Sequence, residues 1–327
     1  MSYQDSTGGQ GPSWTTDARM RPMLTSKVYE NRKQFSRRFD PRAYPKRELE
    51  TLALMVDPEH FRLDEVLNPH SLDAEGRMLE VDTALAIEQW SRLVDTMRSS
   101  GIDVEILPGR SNLPDMVFAA NEGFPYVSDS GERRVVLSKM TAPSRRPEVA
   151  HFESWFRSKG FAVDTAPCGA GESFEGCGDL LWLSDRKVIL GGWGFRTSRV
   201  VLDRLAARID VPIIAFHLTD PAFYHLDTAV TVLDDSRCLA HRPAFTEEGW
   251  DLLHAVFEEV VTAPADEARH ALVCNAFAPR PGVVIVEEEA RITCGLLEEK
   301  GYEVHPVPTS EFRKSGGSIF CLKLMIP

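Results

Sequence analysis

Leu180-Leu-Trp-Leu183 and Lys187-Val-Ile-Leu190 are two short apolar runs with Ser184-Asp-Arg186 between them. Runs of four bounded by turn-forming residues read as the two arms of a hairpin. In the stretch 198–209 that follows, Val201, Leu205 and Ile209 recur every four residues, the spacing of one helical face. Hairpin and then helix is the unit that decides the fold.

Working outward, the same unit recurs. Arg134-Val-Val-Leu-Ser138 precedes a helix over 147–159 whose inner face is Val149, Phe152 and Phe156, with Gly160 to close it. A strand over 229–233 precedes a helix N-capped by Thr246, with Leu253, Val256, Phe257 and Val260 as its stripe. Ala271-Leu-Val-Cys274 and Val283-Val-Ile-Val286 read as strands ahead of a helix over 287–300, closed by Gly301. Upstream, Leu52-Ala-Leu-Met-Val56 leads to a helix over 82–99, with Ala86, Trp90, Leu93, Val94 and Met97 on one face. Asp103-Val-Glu-Ile-Leu107 returns as a strand, and a last strand over 319–326 ends the chain. Helix starts near 82, 146, 198, 246 and 287 give five units. Five such units suggest a repeat in which each buries its face on its neighbours. A doubly wound α/β sheet reads with the same alternation, so periodicity leaves both open.

Composition bounds the class. The 327 residues carry 43% hydrophobic and 26% charged side chains, ordinary globular values. A net charge of −12 argues against a nucleic-acid or anionic-membrane surface, which needs a basic patch. No apolar run reaches the length of a membrane span, and the polar start shows no signal peptide. Six cysteines (168, 177, 238, 274, 294, 321) make no CxxC pair, which fits a reducing cytoplasm rather than a zinc or disulfide framework. The division expected is an extension over 1–48 and a single α/β catalytic domain over 49–327. Within the extension, 1–23 reads as flexible. The basic stretch 27–47 reads either as an arm packing on a partner subunit of a homo-oligomer or as a solvated tail.

Polar residues gather in five segments at the ends of strands: Leu113-Pro-Asp-Met-Val-Phe-Ala-Ala-Asn121, Phe174-Glu-Gly-Cys-Gly-Asp179, Gly194-Phe-Arg-Thr197, Phe223-Tyr-His-Leu-Asp227 and Gly316-Gly-Ser-Ile-Phe-Cys321. Each has a plain structural reading. Asp115 can be a turn former, Glu175 a solvated acid in a glycine turn, and Cys321 a small core residue. His225 and Asp227 alternate along an expected strand and so share a face.

Taken in this order, the five segments resemble the guanidine-modifying superfamily, and most nearly its arginine dihydrolase group. The resemblance runs over about 52–324 and includes Leu67-Asn-Pro69 and Cys274-Asn275. It implies a five-bladed pseudo-symmetric α/β propeller, which the five-unit reading agrees with. It also implies Cys321 as nucleophile, His225 as general acid/base and Glu175 as the carboxylate accompanying it. Asp115 and Asp227 would grip the guanidinium, Asn121 and Asn68 would face the substrate, and Arg196 and Arg145 would bind its carboxylate. Two departures stand out: Pro143-Ser-Arg-Arg-Pro147 replaces the usual acidic-basic run, and His70 stands where a tryptophan is usual.

The chemistry fits those residue types. A guanidinium is a planar cation that two carboxylates can orient through parallel N–H bonds. Attack on its carbon needs a thiolate, and the nitrogen must leave protonated. The resemblance implies a small-molecule guanidino substrate and neither metal nor cofactor. One round gives citrulline and ammonia; a second on the ureido carbon gives ornithine, carbon dioxide and another ammonia. Asn121 favours two rounds, and Asp227 disfavours the dimethylarginine hydrolases, which generally carry a lysine there. Amidino transfer to an amine remains an alternative. A ribosome anti-association factor, a binding module on the same fold, is the remote one.

Overall fold

The computed structural model of the protein describes residues 27–35 and 40–327. The expected flexible stretch 1–23 lies outside the described residues.

The chain folds as mixed α/β structure with several small sheets. Leu180–Trp182 pairs antiparallel with Ile189–Trp193, Leu181 opposite Leu190, and Ile189–Trp193 then pairs parallel with Ile213–His217. Helix Arg199–Ile209 makes that parallel crossover and buries Val201, Leu205 and Ile209. Antiparallel pair, helix, parallel third strand: the pattern recurs with Gly123–Val127, Arg133–Leu137 and Ala162–Thr165. It recurs again with Val230–Val232, Arg237–Ala240 and Glu259–Thr262, and with Phe277–Arg280, Val283–Glu287 and Glu303–Val307. The fifth sheet joins the two ends of the domain. C-terminal Leu324–Ile326 is antiparallel to Leu52–Val56, which is parallel to Asp103–Leu107.

Local chemistry explains the helices. Thr83–Ser99 starts where Asp82 Oδ1 accepts from the Leu85 amide at 3.0 Å. It buries Ala86, Trp90, Leu93, Val94 and Met97 and ends before Gly101, whose φ of +87° suits only glycine well. Thr246 caps Glu247–Val256 in the same way, its Oγ1 accepting from the Gly249 amide at 3.1 Å.

Three expected strands are corrected. Residues 271–274 are no strand: Leu272 takes a left-handed φ of +46° and Val273–Asn275 forms a single 3-10 turn. The last strand shrinks to Leu324–Ile326, and Cys321 sits in the turn before it. His225 and Asp227 do not alternate on a strand, because Leu226–Ala229 is a helical turn with His225 at its N-cap. In addition, the helix expected from 287 begins at Arg291, since Glu287 ends a strand.

The described part of the N-terminal extension lies on the body of this chain. Val28–Tyr29 adds a parallel edge strand to Ile213–His217, and Glu30 forms a two-bonded ion pair with Arg199 at 2.6 and 2.8 Å. Tyr44 is buried, and the Arg47 guanidinium lies 4.7 Å from the Trp182 ring. The segment read either as a subunit arm or as a solvated tail is thus engaged, over these residues, on its own chain. No helix among the described residues is long and apolar enough to cross a membrane.

Candidate active site

The repeat places the site. In each unit a short turn leads into the first strand of its sheet, and in four of the five the turn carries a polar group of the expected constellation. Asn121 precedes Gly123–Val127, Glu175 precedes Leu180–Trp182, and His225 and Asp227 precede Val230–Val232. Cys321 precedes Leu324–Ile326. In the remaining unit the matching place before Phe277–Arg280 holds Asn275. Asn275 fell inside a segment matched by resemblance, yet it was not singled out. Counting units would have found it.

Asn275 is fully buried and holds the turn of Cys321 through both ends of its amide. Its Oδ1 accepts from the amides of Ser318 and Cys321, at 3.0 and 3.1 Å. Its Nδ2 donates to Cys321 Sγ at 3.2 Å and to the Asp227 carbonyl at 2.9 Å. The Cys321 thiol donates in turn to Asp227 Oδ2 at 3.2 Å. Asp227 Oδ1 has no hydrogen-bond partner among the described residues. A buried carboxylate oxygen without a donor is costly, and its natural complement is an N–H brought by a ligand. Burial and the Asp227 carboxylate push the Cys321 thiol well above its ordinary range.

On the other side, His225 Nε2 lies 2.8 Å from Glu175 Oε2. Glu175 Oε1 accepts from the Thr141 amide at 2.9 Å, and Arg196 Nη1 donates to Oε2 at 3.3 Å. Burial alone would raise the Glu175 carboxyl; the hydrogen bond and charge of His225, helped by Arg196, instead hold it well below the usual carboxylate range. Arg145 Nη1 donates to Asn121 Oδ1 at 2.8 Å, which turns the Asn121 amide so that Nδ2 faces His225 Nδ1 at 3.5 Å. In the neutral ring that orientation leaves Nδ1 as an acceptor, and in either charge state Nε2 is the N–H donor to Glu175.

Asp115, in the turn Pro114–Val117, accepts from Ser315 Oγ at 3.1 Å and is pushed up by burial. Asn68 donates to the Ser315 carbonyl at 2.8 Å, and Tyr224 Oη donates to the Gly316 carbonyl at 2.9 Å. Arg196 donates to the Leu67 carbonyl at 2.8 Å, its guanidinium 4.6 Å from the Tyr224 ring. Asn68, Asp115, Asn121, Arg145, Arg196 and Cys321 all line one cavity of about 20 Å³, room for about one water. His225, Glu175 and Asp227 reach this group through Asn121, Arg196 and Cys321, which they contact. His70, in place of the expected tryptophan, is not at the cavity: its Nε2 lies 2.8 Å from the Ala222 carbonyl.

Arg145, expected at a substrate carboxylate, lines the cavity and is held there by groups of its own chain. Its Nε and Nη2 donate to Glu148, at 3.0 and 2.9 Å, and Nη2 also reaches Glu122 and the carbonyls of Asp115 and Phe118. Burial and the neighbouring Glu148 push the Glu122 carboxyl well above its ordinary range. The guanidinium is consumed in a buried network that braces the turn carrying Asp115 and Asn121.

Two results are expected from this geometry. A Cβ at Gly178 would lie 2.5 Å from Asn121 Nδ2 and 3.2 Å from the His225 ring. Gly178→Ala should therefore cost about 1–3 kcal/mol in denaturant melts, the usual range for overpacking, and lower activity with it. The second concerns pH. Burial raises the Asp227 carboxyl to about 7, so the folded form holds an extra proton between the ordinary aspartate range and that value. Stability should fall as pH rises through this window, by up to about 1.4 kcal/mol per unit. Denaturant melts at pH 5 and 8 should differ less for Asp227→Asn than for the parent; an equal difference would remove Asp227 as the cause.

The chain is similar to known proteins over most of its length. Residues 57–246 match the family described as N,N dimethylarginine dimethylhydrolase, eukaryotic. The N(G),N(G)-dimethylarginine dimethylaminohydrolase of Mycobacterium tuberculosis is 34% identical over 274 residues, covering 83% of this chain and 84% of that protein. The bifunctional arginine dihydrolase/ornithine cyclodeaminase ArgZ of Synechocystis is 31% identical over 84% of this chain, which spans 37% of that longer protein. The substrate-bound crystal structure of the ArgZ N-terminal domain, a cyanobacterial arginine dihydrolase, superposes with a TM-score of 0.77 at 30% identity. That match covers 84% of this chain and 97% of that one. The chain belongs to the dimethylarginine dimethylaminohydrolase family of the guanidine-modifying superfamily, and it is a hydrolase of guanidino C–N bonds.

Proposed function

We propose that the chain is an arginine dihydrolase, converting L-arginine and two waters to ornithine, carbon dioxide and two ammonia. Residues 49–327 act as one catalytic domain, with the five sheets as blades around the site. The observation that carries the reading is the pair Asp115 and Asp227, with Asp227 Oδ1 left without a donor beside the thiol. A buried orphan oxygen asks for an N–H, and unmethylated guanidinium offers two on each terminal nitrogen. Dimethylation strips both from one of them. That favours arginine over its dimethylated form.

The cycle follows from the contacts. The incoming cation, held between two carboxylates, offsets the burial that keeps the Cys321 thiol protonated. The thiol proton passes to Asp227 Oδ2, and Sγ attacks the guanidinium carbon. His225 enters the cycle as the imidazolium; the C–N bond to a terminal nitrogen breaks as the ring delivers its Nδ1 proton there, and ammonia leaves a thiouronium on Cys321. His225, neutral again, takes a proton from water at Nδ1. The hydroxide adds to the same carbon, and the C–S bond breaks to give citrulline. A second round on the ureido carbon needs another protonated leaving nitrogen, and Asn121, fixed by Arg145 beside Nδ1, would hold the ureido oxygen. Arg196 is the group for the substrate carboxylate, and Arg145 is a positioning residue.

Incubation with L-arginine tests this directly. Ornithine with about two ammonia per arginine, the stoichiometry of two nucleophilic hydrolyses, is expected. Citrulline with one ammonia would make the chain a deiminase. Faster release of dimethylamine from dimethylarginine would overturn the substrate assignment.

A further inference from the structure

Behind the catalytic residues lies a second cavity of about 120 Å³. Its wall takes residues from the first strand of every sheet, among them Phe124, Trp182, Val232 and Phe277. The first strands thus carry the catalytic turns at one end and enclose this space farther along. Most of its lining is apolar. The charged residues on it are Arg47, Glu50, Arg280 and Lys323, and of these Lys323 alone is buried, only 2% exposed.

Among the described residues, no carboxylate lies within ion-pair distance of Lys323 Nζ. Its contacts are the Phe320 and Phe277 rings, with centroids 3.1 and 4.4 Å away. Ring faces attract a cation but do not replace a counter-ion. The other cations on the wall are occupied. Arg47 is paired with Glu50 and donates to the Ser184 carbonyl at 2.9 Å, and Arg280 donates to the Ser100 carbonyl at 2.7 Å. A buried ammonium without an anion costs several kcal/mol unless it loses its proton. Burial does lower Lys323, to about 7, so protonation remains within reach of an arriving anion.

We propose that this cavity is a binding site for a small monocarboxylate with an apolar body, its carboxylate paired with Lys323. The inference goes beyond the proposed activity and does not depend on it. The volume is close to that of engineered apolar cavities of ~150 Å³ that take up benzene, which suits a ring or branched chain of that size. One unpaired cation fits one negative charge. A phosphate dianion would leave acceptors unsatisfied. The position matters as well, because Lys323 follows Cys321 by two residues, and Cys177, on the same wall, follows Glu175 by two. A ligand seated here adjoins the segments that carry the thiol and the partner of His225.

Calorimetric titration of the full chain with benzoate, 3-phenylpropionate and isovalerate, each beside its carboxamide, tests the site. At least one carboxylate should bind at one per chain, at least tenfold tighter than its amide, and still bind with arginine-site residue Cys321 alkylated. Lys323→Met should weaken it at least tenfold. Val232→Phe, which fills the cavity and keeps the charge, should do the same and serves if the first variant does not fold. Absence of binding by all three acids overturns the proposal, as does binding that survives either substitution or that amides match.

Discussion

Cys321→Ser is expected to lower turnover of arginine by at least about 10³-fold, as removal of an enzymatic nucleophile does, with the melting temperature held within about 2 °C. The structural reason for the second half is local. A serine hydroxyl can still donate to Asp227 Oδ2 and accept from Asn275 Nδ2, the two partners of Sγ. The turn itself is held by backbone amides of Ser318 and Cys321 on Asn275 Oδ1, which the change does not touch. The first half follows from acidity. Even the thiol is held protonated in the empty site, and an alcohol is far harder to ionise there. Only the substrate cation, arriving between two carboxylates, makes ionisation favourable. Quenching the parent enzyme during turnover should therefore trap on Cys321 an adduct that carries the whole substrate less one ammonia, seen by mass spectrometry of the peptide. The serine variant should show none. Turnover by Cys321→Ser at the parent rate would falsify the nucleophile assignment. Alkylation should also be slow in the empty enzyme, since the thiolate forms with substrate.

How far the sequence reaches into this site depends on which interactions carry each part. The hairpin at 180–190 and the capped helices were legible because apolar period and cap residues are local. Leu181 opposite Leu190 and the Thr246 cap are set by neighbours within a few residues. The site turns were not. Residues 271–274 and 319–323 are apolar enough to read as strands. What bends them is the Asn275 side chain, which links the two segments across 46 residues through Ser318 and Cys321. Long-range hydrogen bonds of this kind leave no periodic trace. His225 and Asp227 show the same failure: alternation suggested one strand face, while a helical turn presents the two residues to different partners, Glu175 and Cys321. The role expected of Arg145 rested on matching a charge to a position. The buried pair Glu122 and Glu148, which claims that charge, becomes adjacent only on folding. The repeat itself, five units long, was the one nonlocal feature the sequence did display, and it would have pointed to Asn275.

His225→Asn is expected to reduce turnover by about 10²–10⁴-fold, the usual worth of a positioned acid–base group, and to do so without loss of substrate binding. Two proton transfers depend on this ring, one to the leaving nitrogen and one from the attacking water. Asparagine can do neither. Glu175→Gln should cost less, about 10-fold or more on the same scale, because the amide keeps a hydrogen bond to Nε2 but removes the charge facing the ring at 2.8 Å. The two residues act as one unit, so their effects should not add. The double variant should be no slower than His225→Asn alone. Additive losses would mean that Glu175 serves catalysis by a separate route, for which Arg196, 3.3 Å from the same oxygen, is the available partner. The pair also has a signature in stability. The Glu175 carboxyl is held below its unfolded range, so its contribution is present above that range and lost as pH falls through it. Acid melts of Glu175→Gln should lack that loss while the parent shows it, whatever becomes of the activity.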